Sequence, residues 1–75
     1  MQFETKTSIY QLTKNKDEFT LIKLILKDEQ YSAVNVGMVF KANKNHTYLS
    51  SDCLCVGNMH TSPIINVAEV EEFIK

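Results

Sequence analysis

Four side chains in the second half of this 75-residue chain could hold a metal ion: His46, Cys53, Cys55 and His60. Two thiolates and two imidazoles satisfy tetrahedral zinc. The spacing argues against it. Cys-x-Cys places both thiols on one face of a strand, without the turn that a two-residue spacer supplies, and free cysteine is among the most buried residue types. The expectation is therefore no metal site and two free thiols packed in or near the core. A cysteine nucleophile activated by His60 is the matching catalytic arrangement. No third group is placed to orient that histidine, and no oxyanion hole can be read from the chain. Ser50-Ser51-Asp52 reads as a turn whose side chains bond the local backbone. Glu69, Glu71 and Glu72 read as a solvated helix surface, with Glu69 favoured near the helix N-terminus. Gly37 and Gly57 lie too far apart to cradle a phosphate. No catalytic constellation and no cofactor site emerge, which points to a binding protein and not to an enzyme.

Aromatic side chains interleaved with cations are a second chemistry, stacking on single-stranded nucleic acid. Tyr10, Tyr31 and Tyr48 alternate with Lys6, Lys14, Lys41 and Lys44. Against this stands the charge: all eight basic residues are lysine, nine are acidic, and the net charge is −1. Without arginine the chain lacks the planar fork that suits phosphates and guanine edges. Nucleic acid is thus a disfavoured partner. Lysines concentrate in residues 1–44 and acids dominate residues 45–75, a mild dipole that two differently solvated faces explain.

Hydrophobic residues make up 44% and charged residues 23%, ordinary values for a folded protein. Seventy-five residues make a single domain, 1–75, that buries only about 60% of the surface its unfolded chain exposes. Self-association would bury more, so a homo-oligomer is expected. No apolar run approaches the length of a membrane span and the first residues carry no apolar signal region. The expected location is the cytoplasm, with no membrane partner.

The elements that position these residues read as strands first and one helix last. Residues 2–13 predict a bent strand with Tyr10 and Leu12 on one face and Phe3 and Ile9 on the other. Phe19–Leu26 is apolar on both faces and reads as a central strand. In residues 31–41, Val34, Val36, Met38 and Phe40 alternate with Ala33, Asn35, Gly37 and Val39, which predicts burial of that valine, methionine and phenylalanine set. Short strands follow around Thr47–Leu49 and Cys53–Val56, then a turn at Gly57-Asn58 and a final strand at Ile64-Ile65 after Pro63. Asn66 with Glu69 forms a capping pattern, and Val67, Val70, Phe73 and Ile74 recur at helical spacing, predicting a helix at about 67–74. The predicted fold class is mainly β (α+β): a small antiparallel sheet or partly open barrel of about five strands, capped by a short C-terminal helix.

Lys6-Thr7-Ser8-Ile9-Tyr10-Gln11-Leu12 resembles the opening strand of many small phage and prophage proteins, which often run Lys-x-Asn-Ser-x-Tyr. Thr61-Ser62-Pro63-Ile64-Ile65-Asn66-Val67 resembles their closing strand. The two segments cover about a fifth of the chain, and Thr7 stands where the pattern has asparagine. Some proteins of that build block host defences by binding a defence protein or by sequestering its nucleotide signal. The resemblance therefore implies a phage-like accessory protein that inhibits or sequesters a host component without catalysis. Docking of an edge strand or of the helix-capped face on a host protein is one mechanism. The other is an oligomer that holds a small nucleotide at subunit boundaries, with hydroxyls from Ser8, Tyr10, Thr61 and Ser62.

Overall fold

The computed structural model describes residues 1–27 and 35–75. Strand β1 (Gln2–Glu4) folds back onto β2 (Ser8–Asn15), which pairs with β3 (Glu18–Leu26), which pairs with β4 (Val39–Asn43). After a 3-10 turn at Lys44–His46, strands β5 (Thr47–Ser50), β6 (Cys53–Val56) and β7 (Met59–His60) form a second sheet. Helix α1 (Val67–Ile74) follows. Pairing within both sheets is antiparallel. The chain is mainly β with one short C-terminal helix, as expected; the strands form two sheets, of four and three, and no closed barrel.

Tight turns set the registers. Lys16-Asp17, Ser51-Asp52 and Gly57-Asn58 close the pairs Asn15↔Glu18, Ser50↔Cys53 and Val56↔Met59. The first residue of each turn has a positive φ: 57° at Lys16, 54° at Ser51 and 61° at Gly57. A positive φ confined to the first position is the pattern of a type II′ turn, whose twist matches that of the flanking strands and which favours glycine there. Only one of the three turns has its glycine.

The core lies between the two sheets and under the helix. Phe3, Tyr10, Leu12, Phe19 and Leu21 come from the first sheet, Leu54, Val56 and Met59 from the second, with Ile64 and Val70. On β2 and β3 burial follows period two, so the inner face carries Ser8, Tyr10, Leu12 and Phe19, Leu21, Lys23. The helix is held at its start by Asn66, whose Oδ1 accepts from Glu69 N at 3.4 Å while Glu69 Oε2 accepts from Asn66 Nδ2 at 3.2 Å. Its apolar stripe then packs as the spacing predicts. Val70 is fully buried, and Phe73 meets Phe19 edge-on with ring centroids 6.5 Å apart. Each such side chain withdrawn from water contributes roughly 1.5–3 kcal/mol.

Four expectations change. Residues 2–13 are two strands joined by a fold-back, so Phe3 lies opposite Tyr10 on the inner face and stacks on its ring at 5.5 Å, while Ile9 faces outward. Val36 and Met38 are not buried: they are 54% and 42% exposed. The reason is local. Gly37 has φ +90° and Val36-Gly37 is a turn, so the alternation forms no strand at Val36–Met38. Phe40 does pack against the core. Val34 lies outside the described residues. Ile64-Ile65 form no strand; Ile64 makes a single bridge to Thr5, and Ile65 is exposed. The fourth change is an addition, the two-residue strand β7.

Replacing Ser51 with glycine should relieve the cost of a left-handed serine, net of glycine's greater chain entropy. The Ser51→Gly protein is expected to be about 1 kcal/mol more stable to urea; a loss of stability would show that the turn is not strained.

Candidate functional site

The fold-back after β1 brings the two ends of the chain together through hydroxyl groups. Thr5 pairs with Ile64 across the gap, Ile65 N donates to Glu4 O at 3.0 Å, and Lys6 N donates to Pro63 O at 2.9 Å. Ser62 Oγ lies 2.8 Å from both Thr7 Oγ1 and Thr5 Oγ1. Thr5 Oγ1 also accepts from Ser8 N at 3.0 Å. Thr61 Oγ1 accepts from Leu54 N and donates to Ser62 O, at 3.0 and 2.9 Å, tying this cluster to the second sheet. The structure therefore brings Ser8, Thr61 and Ser62 into one neighbourhood. Ser8 and Thr61 are buried and Ser62 is half-buried. A ligand reaching these hydroxyls would have to displace bonds that join the two halves of the fold.

Tyr10 is buried one step deeper, beside Lys23, its cross-strand partner on β3. Lys23 Nζ lies 5.5 Å from the centre of the Tyr10 ring. Burial raises the Tyr10 phenol above its ordinary pKa, only partly offset by a hydrogen bond with the Ser8 side chain. Burial lowers the Lys23 ammonium below its ordinary pKa. Nothing in the spacing of Phe19–Leu26 marks Lys23 as an inward residue. The register does, because Lys23 alternates with Phe19 and Leu21.

The outer face of the four-stranded sheet is of a different kind. Between Ile9 and Tyr10 the register slips, pairing Ile9 with Ile25 and Tyr10 with Lys23. The bulge turns Ile25 to the outside, where it is 51% exposed. Ile22 pairs with Val39 on the same face, and Val39 is also 51% exposed. Gly37 N donates to Lys23 O at 2.8 Å, so the Val36–Met38 segment runs alongside this end of β3. Ile25, Val36, Met38 and Val39 thus gather at one end of the sheet. A typical monomer's largest apolar patch covers about 300–600 Å², and such patches commonly mark binding surfaces. Beside β4 lies a groove of about 340 Å³ lined by Phe40, Lys41, Val56, Gly57, Asn58 and Met59.

The remaining candidates are dispersed. Cys55 stands opposite both Tyr48 and His60, while Cys53 stands opposite Ser50. Both cysteines are free and half-buried, and no group of three or more metal-binding side chains occurs among the described residues. Tyr48 is 52% exposed, Tyr10 is buried, and Tyr31 lies outside the described residues, so the first two offer no common stacking platform. Lys14 sits over the Phe19 ring and Lys44 pairs with Asp17 at 3.6 Å. Among the described residues no helix is long and apolar enough to cross a membrane. Searches of protein-family models, curated proteins and solved structures find no match to this chain.

Two outcomes test these placements. Thr61→Val should leave the buried Leu54 N–H without its acceptor and cost about 1–3 kcal/mol in chemical denaturation, while Thr61→Ser should cost less. The alkaline pH profile tests the Tyr10–Lys23 pair. The folded state binds the Lys23 proton less tightly than the unfolded state, so stability rises with pH as the unfolded lysine value near 10.4 is approached. Tyr10 acts oppositely. Above about pH 10 the unfolded tyrosine releases its proton first, so stability falls. Lys23→Met should flatten the rise in urea midpoint below about pH 10 and leave the fall above it. An unchanged rise would assign it to other groups.

Proposed function

We propose that this chain is a non-enzymatic binding protein that acts as a homo-oligomer, with the apolar end of the four-stranded sheet buried between copies. The observation that carries this reading is the patch of Ile25, Val36, Met38 and Val39, each more than two-fifths exposed at one end of the same sheet. None of the four carries a charge, so the patch is compatible with its own copy across a two-fold axis. A chain this short also gains proportionately more from covering such a surface than a larger one. The target class is the one the phage-protein resemblance implies, a host defence protein that is inhibited by being bound. Sequestration of a nucleotide takes second place, because the hydroxyls it would use are already engaged: Ser8 and Ser62 bond the Thr7 hydroxyl, and Thr61 donates to the Ser62 carbonyl.

Light scattering across a dilution series tests the oligomer. The native protein should run as a dimer or larger with a thermal midpoint that rises with concentration, and Met38→Glu should give a folded monomer whose lower midpoint no longer depends on concentration. A native protein that is monomeric at all concentrations, or a Met38→Glu protein that stays associated, would contradict the proposal. For the target class, expression of the chain in a bacterium carrying a defined defence system should restore plaques of a phage that the system blocks.

A further inference from the structure

The outer edge of β4 and the groove beside it fit together as a binding site of their own. β4 is the last strand of its sheet, paired on one side with β3. Alternate N–H and C=O groups of such a strand point away from the sheet and are open to pairing with another chain. At Ala42 the edge is approached by the β6–β7 turn, where a Cβ built on Gly57 would lie 3.8 Å from Ala42 Cβ. Among the described residues no other strand pairs with the outer edge at Val39–Lys41. The groove runs along that stretch, floored by Val56 and Met59, both nearly buried, and walled by Phe40.

We infer that Val39–Lys41 is a strand-addition site for an extended segment of a protein partner in which apolar residues alternate with an acidic one. Successive side chains of an added strand point to opposite sides of the sheet. Those directed inward enter the groove against Phe40, Val56 and Met59, whose apolar lining selects aliphatic residues. The side chain directed outward lies beside Lys41. Lys41 is exposed and makes no ion pair among the described residues, so an acidic partner residue supplies the missing charge. Main-chain pairing gives affinity and the two sides give specificity, the general logic of strand addition. The inference rests on the reading of the chain as a binding protein but uses a different surface from the one between copies. The Val39 side chain points out of the sheet, whereas its edge lies in the plane of the sheet, so both can be engaged at once.

Fluorescence anisotropy with labelled pentapeptides tests the site. Thr-Ile-Glu-Ile-Thr should bind saturably. Thr-Ile-Lys-Ile-Thr should bind about tenfold more weakly, and Lys41→Glu should invert that preference. A version of the acidic peptide N-methylated at the amides that face β4 should not bind, since it cannot donate to the edge. Absence of saturable binding by the acidic peptide, equal binding by the N-methylated peptide, or an unchanged preference in Lys41→Glu would each overturn the inference; a lysine that merely guards the edge gives the first of these. Light scattering on the same samples separates the two surfaces. Loss of peptide binding with the oligomer intact defeats this site alone, and peptide binding by a strictly monomeric chain defeats the interface between copies alone.

Discussion

Strand β3 carries apolar residues on both faces, and among the described residues only one face is buried. Phe19 and Leu21 are sealed by the second sheet and helix α1, with Phe73 closing over Phe19. Ile22 and Leu24 are half-buried, and Ile25 is half-exposed. A strand with this composition is ordinarily sandwiched between two layers. Here the material for a second layer is not supplied by the described residues. The uncovered face is the physical reason for reading the protein as one that works against another protein surface.

The covered side depends on closure at the other end of the molecule. The segments around Thr5–Ser8 and Thr61–Ile65 are far apart in the chain but adjacent in the fold, joined by backbone bonds and by hydroxyls that satisfy one another. No buried side-chain nitrogen or oxygen among the described residues lacks a hydrogen-bond partner. A polar cluster that complete stabilises the junction without exposing it. The inward Lys23 and Tyr10 extend the polar character along the inner face, where burial moves both their pKa values toward the neutral forms.

Much of the architecture was readable from residue types. The terminal helix follows from Asn66, Glu69 and the Val67–Ile74 stripe, because capping and amphipathic spacing are local properties. The turn at Gly57-Asn58 and the polar cluster before β3 were equally local. What failed was burial in Val36–Met38. Alternation reports that two faces differ; it does not report which face meets the core, and a left-handed glycine inside the run broke it. The fold-back at Thr5–Thr7 was missed for a related reason, since threonine-rich segments read as strand whether or not the chain reverses. Of the site, Ser8, Thr61 and Ser62 were identified as belonging together, but hydroxyls look alike in sequence whether they bind a ligand or each other. The apolar end of the outer face could not be seen before the bulge at Ile9 placed Ile25 outside.

If the outer face of β3 and β4 is covered by protein when the chain is at work, solvent access to its side chains must fall on association. Methyl-resolved NMR with a soluble paramagnetic agent addresses it directly, since attenuation reports the solvent access of each side chain. In dilute samples the methyls of Ile25, Val36, Met38 and Val39 should be strongly attenuated, and those of Leu54 and Val70 should not. As the concentration rises, the first group should become protected while the second is unchanged. Attenuation of Ile25 and Val39 that stays constant over the whole concentration range would contradict it.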